Sequence, residues 1–512
     1  MAFSSPALTM LLLTASLLLF LAASRLRSAR KYKLPPQVPG WPIVGNSLDV
    51  PLPAGMWAAK AAQKYGEMFT CRLGGKTQVF LNSSRVVADL LEKRSAKYSS
   101  RPWCPMAQDI MSGGCRMLLM PHCARWRAQR KIMHAILNGR SAEANFVPYQ
   151  NLEARQLLHD YLEAPAQFYR ANQRFANSVI LSVVFGRRAR LDDPELQELF
   201  ESVEGLLEIL FDPFKGICDS LPWLARLPEC LQWWRPAGEQ YFQKTVGTYR
   251  REFNRFLEKM DAGTARPCFA VDLMQGALQK DFDMDETERL FVFATLLEAG
   301  SDTSRTVLTQ IIAAAAVYPE WTRKARALLD EVCGPNADRL PSLADRPRLP
   351  YIMAVVKEGL RWRPFSQIGQ PHMLEQDDEY EGYRFPAGTL FTWNAYAIAL
   401  NDNEYPDAMR FLPERFMNAD LDSPLKGHWT FGAGRRVCVG YNVGTNNLWI
   451  AAASLLYCFD FEQDPDHPID TLNTNWEAHR EAPFAAKIKV RSQAHAALIR
   501  REAAQALAAP YD

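Results

Sequence analysis

The sequence predicts a mainly α protein with small β-sheets, preceded by one N-terminal transmembrane helix. Three observations carry that prediction. Apolar residues recur at helical spacing over long stretches, at 125–137, 153–162, 171–185, 195–211, 239–261, 285–317, 321–332 and 350–362. Strand-like material is short: 68–73 and 77–81 read as a hairpin around Gly74 and Gly75, with smaller pieces at 383–385, 389–392 and 486–490. Residues 7–23 carry no charge and are followed at once by Arg25, Arg27, Arg30, Lys31 and Lys33.

As a helix, an apolar run of roughly 17 residues spans ~26 Å, close to the ~27 Å core of the endoplasmic reticulum bilayer. A cleaved signal peptide carries its positive charge ahead of the apolar run; here the charge follows it, so the run reads as an anchor. Basic residues after a span stay in the cytosol. The expected order is a short lumenal N-terminus at 1–6, the anchor at 7–23, a basic and proline-rich linker at 24–45, and one large cytosolic domain over 46–512. Ten scattered cysteines with no CxxC pair suit that reducing compartment as free thiols. A composition 48% hydrophobic and 23% charged is that of a globular protein, and a net charge of +2 argues against a general nucleic-acid binder.

Within the domain, the pattern at 285–317 is long for a globular helix and apolar over much of its length, which belongs in the core of a large domain. Its middle, EAGSDTS from Glu298 to Ser304, puts glycine, acid and hydroxyl residues where packing alone would want leucine or alanine. A second unusual stretch is FGAGRRVCVG, Phe431 to Gly440. As a phosphate loop it fails, because the third glycine of G-x-G-x-x-G would fall on Val437 and no strong strand precedes it. A zinc or redox site needs cysteine or histidine partners at ligand spacing, and none is near in sequence. That leaves partners distant in sequence open; the third reading is a single axial thiolate to haem iron, which needs one cysteine, small neighbours beside a flat macrocycle, and cations for its propionates.

Phe431, Gly434, Arg436, Cys438 and Gly440 match every fixed position of F-x-x-G-x-R-x-C-x-G, and the chain resembles the cytochrome P450 monooxygenases, the fungal secondary-metabolism microsomal members in particular. Glu358-Gly359-Leu360-Arg361 resembles that family's E-x-x-R helix, Pro413-Glu414-Arg415-Phe416 its P-E-R-F loop, and 299–304 its oxygen-activation motif. Trp126-Arg127 with Arg130 is similar to the W-R-x-x-R of the helix beside the haem. The resemblance implies the cytochrome P450 fold, a large α-helical haem-thiolate catalytic domain holding haem b.

It further implies roles. Cys438 is the metal ligand; Trp126, Arg130, His372 and Arg436 hold propionates; Phe431 packs by the sulfur; Gly434 and Gly440 let the backbone approach the macrocycle. Thr303 orients oxygen and water, Asp302 passes protons inward, and Gly300 leaves room beside the iron. Glu358, Arg361 and Arg415 form a buried structural cluster. Arg125, Arg127, Lys131 and Arg435 read either as a solvated face or as a dock for an acidic electron donor. Substrate contacts are expected from 101–119, from 293–299, and near Gln367 and Ile368. His122 and Cys123 stand where many relatives have tyrosine and glycine.

The expected activity is insertion of one oxygen atom from O2 into an apolar small molecule. Electrons come from NADPH through NADPH-cytochrome P450 reductase, with cytochrome b5 as a further partner, at the endoplasmic reticulum membrane. Oxidative coupling or rearrangement by the same haem-thiolate centre is the alternative, and a non-catalytic haem sensor a third reading that leaves a proton relay without use.

Overall fold

The structure is a computed structural model and describes residues 31–511 apart from 43, 52, 139, 192, 213, 276–283 and 477–480. The anchor expected at 7–23 lies outside the described residues; among those described, no helix is long and apolar enough to cross a membrane.

Twelve helices of seven or more residues carry the described fold: α1 (Gly55–Tyr65), α2 (Ala124–Leu137), α3 (Arg140–Glu163), α4 (Phe168–Phe185), α5 (Pro194–Phe211), α6 (Arg235–Asp261), α7 (Phe269–Gln275), α8 (Glu286–Val317), α9 (Pro319–Cys333), α10 (Pro350–Trp362), α11 (Tyr441–Cys458) and α12 (Gln493–Ala508). α8 starts where Asp285 caps it: its side chain accepts the Glu288 N–H at 2.8 Å while Glu288 accepts the Asp285 N–H at 3.1 Å. α8 is buried along most of its 32 residues and packs against α4, α6, α10 and α11, so it forms the axis of the core. α3 begins earlier than 153 and carries Pro148 inside it. The sequence reading started after that proline because proline removes a helical donor.

The strands are β1 (Met68–Leu73), β2 (Lys76–Leu81), β3 (His372–Met373), β4 (Asp378–Tyr380), β5 (Tyr383–Phe385), β6 (Leu390–Trp393), β7 (Phe459–Gln463) and β8 (Ala486–Val490). β1 and β2 form the expected hairpin, with Met68 opposite Leu81 and Leu73 opposite Lys76. β2 then runs parallel to β6, and β3 closes the sheet in the order β1-β2-β6-β3. This brings strand β3, which carries His372, into one sheet with the N-terminal hairpin. All ten cysteines are free thiols.

Candidate functional site

The loop before α11 is shaped by its own backbone. Gly434 sits at φ +58° and opens a short turn through Arg436; the Cys438 N–H then donates to Phe431 O at 2.7 Å, closing the loop under the thiol. A Cβ on Gly434 would lie 2.0 Å from Leu91 O, so any side chain would displace the turn. That close contact is with a neighbouring carbonyl, a second demand on Gly434 beside the expected approach to the macrocycle. Gly440 is different: a Cβ there would stand 4.0 Å from the Cys438 sulfur. Phe431 is half-buried, with its ring 5.6 Å from that of His428.

Burial pushes the Cys438 thiol up, and the Gly440 N–H and then the Arg130 charge pull it back toward thiolate. α11 begins at Tyr441, so its positive end also lies close behind the sulfur.

Around this thiol the fold gathers cations. Arg130 of α2 donates to Val437 O; Arg436 donates to Ser99 O and Met120 O, both at 2.7 Å. Trp126 is buried between them, with the Arg436 guanidinium 4.1 Å and the Arg130 guanidinium 5.6 Å from its ring. His372 is buried; its Nδ1 meets Tyr98 O at 2.7 Å, and its Nε2 has no partner. Burial, with Arg101 and Arg436 adding to it, holds His372 well below the ordinary histidine range. In the neutral ring with Nδ1–H on Tyr98 O, Nε2 is bare, so His372 donates from Nε2 only when an anion beside it favours the protonated form.

Arg101 belongs to this cluster, although the sequence placed it only at the edge of the substrate pocket. Its guanidinium is buried and donates to Leu118 O and Gln370 O at 3.1 Å each, as well as to Pro371 O. Burial lowers Arg101 to about 10 and Arg436 to about 9, the latter also through Arg101 and Arg130. No carboxylate forms an ion pair with Arg101, Arg130 or Arg436 among the described residues. Three guanidinium groups, one buried and two half-buried, that hydrogen-bond only to backbone carbonyls, beside an unpartnered histidine nitrogen, make a receptor for an anion of more than one charge.

The other wall is α8. In the middle of this largely buried helix Thr295 and Thr303 are half-buried and Ala299 is exposed, three positions four apart on one face, with Glu298 and Gly300 half-buried beside them. Thr303 Oγ1 donates to Ala299 O at 2.9 Å. Asp302 is held in an ion pair: its carboxylate accepts from Arg305 Nε at 2.8 Å, and Arg305 lies 4.9 Å from the Tyr169 ring on α4. The pair therefore sits on the α4 side of the helix, away from the open face. At Gly300 a Cβ would fall 2.5 Å from Ile180 Cγ1, so its missing side chain admits α4.

Glu358 gathers a separate cluster. It accepts from Arg361 Nε at 2.7 Å and Nη2 at 2.8 Å, from Arg415 Nε at 3.2 Å and from the Leu412 N–H at 2.8 Å. Three expected pocket residues lie elsewhere. Phe293 packs on Phe185, Phe253 and Phe269, Gln367 accepts the Gly55 N–H at 2.9 Å to start α1, and Ile368 joins the apolar cluster of Phe69 and Phe80. Arg125 is taken up by Glu288, whereas Arg127, Lys131 and Arg435 are exposed. His122 pairs with Glu375 at 3.1 Å, and Cys123 caps α2 by accepting the Trp126 N–H at 3.5 Å.

A thiol at a helix start, a partly buried polycationic cluster and an open helix face fit a flat macrocycle with a soft axial ligand and two carboxylate arms. Fold and site together define a haem-thiolate oxidoreductase. The sequence model described as Cytochrome P450 matches residues 35–485. The cytochrome P450 monooxygenase virE of Hypocrea virens is 35% identical over 506 residues, covering 95% of this chain and 91% of that one. The monooxygenase macC of Penicillium terrestre is 34% identical, covering 96% of each. A solved zebrafish cytochrome P450, described with abiraterone, aligns over 86% of this chain and 100% of its own at a TM-score of 0.67 and 22% identity, a likeness of fold. The chain belongs to the cytochrome P450 family.

Proposed function

We propose that this P450 inserts one oxygen atom from O2 into an apolar small molecule of fungal secondary metabolism, using electrons from NADPH delivered by a flavoprotein reductase. The observation that carries this reading is the set of Arg101, which is buried, with Arg130 and Arg436, which are half-buried: none pairs with a carboxylate among the described residues, and the charge of Arg130 acts on Cys438. When bound, a haem ligated by Cys438 supplies the activation of dioxygen. The chain's own residues do the rest. Arg101, Arg130, Arg436 and Trp126 with a protonated His372 hold the carboxylate arms, and the Gly440 N–H steadies the sulfur.

Thr303 gives its own proton to Ala299 O, so its oxygen offers lone pairs to a water on the open face of α8. Asp302, held by Arg305, shapes the field from the far side of the helix. Thr303→Ala is expected to keep its haem and to divert roughly 10²-fold more of its reducing equivalents from product to hydrogen peroxide, the scale of a lost proton-transfer group. Unchanged coupling of NADPH use to product would overturn that role. The function itself is tested by supplying the holoenzyme with reductase, NADPH, isotopically labelled dioxygen and a panel of apolar polyketides and terpenoids. One labelled oxygen per product supports the reading, and NADPH consumption insensitive to every panel member counts against it.

The endoplasmic reticulum location belongs to the same proposal, with residues 7–23 as a single-pass anchor. It is supported by exposed apolar side chains on two segments, Trp41 and Leu48 on one and Phe214, Trp223, Leu231 and Trp233 on the other. The Gly75 N–H donates to Ser220 O at 3.3 Å and the Gly74 N–H to Val44 O at 3.2 Å, which joins the two segments on one side of the molecule. Removal of 1–30 is expected to leave weak, salt-resistant binding to phospholipid vesicles, and Trp223→Ser with Trp233→Ser to abolish it. Vesicle binding unchanged in that double variant would refute the apolar seat.

A further inference from the structure

Glu298 stands one residue ahead of Ala299, the exposed position of α8, and the chemistry above gives it no task. Its carboxylate is paired with Arg116; the two side chains are 13% and 2% exposed, so the charges are shut off from bulk water. The guanidinium is engaged on every side. Nε donates to Ser112 Oγ at 3.0 Å, Nη2 donates to Tyr241 Oη at 3.4 Å, and the group lies 5.5 Å from the Phe291 ring. Tyr249 Oη donates to Glu298 Oε1 at 3.2 Å, and Tyr241 Oη donates onward to Ser202 O at 2.7 Å. Segment 111–120, α5, α6 and α8 therefore meet on one ion pair.

A buried pair of this kind gives little net stability over apolar residues of the same volume, so its use is sought in fixing one arrangement against others. Segment 111–120 needs fixing. Gly113 and Gly114 follow each other at φ +55° and +75°, a bend that two glycines hold little by themselves, so its path rests on bonds to other residues: the Gly114 N–H donates to Gln108 O and Gln108 Nε2 donates to Gly114 O, both at 2.7 Å, and Arg116 ties the next turn to α8. Its two ends are anchored on opposite sides of the site. Arg116 holds α8, while Leu118 O and Met120 O accept from Arg101 and Arg436 of the cationic cluster. The segment thus runs from α8, beside its open face, to the cationic cluster.

We propose that Arg116 and Glu298 are specificity-determining positioning residues: the pair pins segment 111–120 as a wall between α8 and the cationic cluster, and so limits the size of molecule that reaches Thr303. The claim rests on the haem-thiolate reading of the site. It is tested with full-length holoenzyme carrying Glu298→Gln, Arg116→Gln or Arg116→Lys, probed by imidazole and by clotrimazole, a small and a bulky azole whose binding shifts the haem absorption band. The neutralising variants are expected to raise the association rate of clotrimazole about tenfold, the scale of coupling between residues in direct contact. Imidazole should be little affected, and Arg116→Lys should restore the parent ratio. Hydrogen exchange at 111–120 should rise in step in the neutralising variants. A clotrimazole-to-imidazole ratio that stays at the parent value, with unchanged exchange, overturns the proposal. Should a variant lose haem, or the parent lack the reduced carbon-monoxide spectrum of a thiolate-ligated haem, exchange at 111–120 still decides whether the pair pins the segment. A missing thiolate spectrum in the parent is a failure of the haem reading alone.

Discussion

Cys438→Ala is expected to abolish both turnover and the reduced carbon-monoxide band of a thiolate-ligated haem, while the protein still folds. The expectation follows from what surrounds the sulfur. The Gly440 N–H and the charge of Arg130 favour the ionised thiol, against the burial that opposes it, and the start of α11 adds a partial positive charge behind it. Alanine leaves these groups facing no ligand, and no other thiol has the same company. Cys458 is fully buried in α11, and burial above all, with Arg491 opposing and Cys333 adding to it, holds its proton far above the ordinary range, so Cys458→Ser is the matched control. It should cost stability and leave the band in place. A thiolate-type band surviving in Cys438→Ala, or lost only in Cys458→Ser, would remove Cys438 as the ligand. Folding is checked by the far-ultraviolet circular dichroism of each variant.

What could be read from the sequence follows the kind of constraint each residue meets. The loop at 431–440 is legible because a ligand, a positive φ and a helix start must follow one another within a few residues, and each admits few residue types. Arg101 is not, because its partners are the carbonyls of Leu118, Gln370 and Pro371, and a carbonyl is present in every residue. Gly300 shows a different limit. Composition reveals that a side chain is missing but not which neighbour needs the space, and the neighbour is Ile180. Asp302 was within reach: Arg305 stands three residues on, a spacing that brings opposite charges together on a helix, and the family resemblance drew attention to an inward role instead.

The missed helices follow the same logic. α11 is buried on nearly every side, so its apolar residues show no period, and Asn442, Asn446 and Asn447 lower its helix propensity further. The sequence shows the hairpin at 68–81 and the piece at 389–392 but not that they share a sheet. The parallel pairing of Phe80 with Thr392 spans a separation in sequence at which no local pattern survives. Glu298 falls between these cases: its polar surroundings were visible in EAGSDTS, but its partner Arg116 comes from a segment with no regular period.

Glu358→Ala is expected to destabilise the protein by about 3–5 kcal/mol, the cost of stranding a buried charge. Arg361 is 1% exposed and Glu358 0%, so water does not reach the guanidinium once the carboxylate is gone. Arg361 would keep Ala399 O and Ala408 O, and Arg415 would keep Pro406 O and Asp407 O, whereas the Leu412 N–H would lose its acceptor. Glu358→Gln should cost less, because the amide oxygen still accepts from one guanidinium. The measurement is the denaturant midpoint of the holoenzyme together with the ratio of haem to protein, and both should fall in the order parent, Gln, Ala. The comparison that isolates burial is Glu381→Ala, which removes an ion pair from Arg85 whose side chains are 44% and 48% exposed. Solvent screens that pair, so its loss should cost no more than about 1 kcal/mol. Equal losses in Glu358→Ala and Glu381→Ala would mean that burial does not set the strength of the Glu358 cluster, and the haem loop would then need another source of support than the α10 frame.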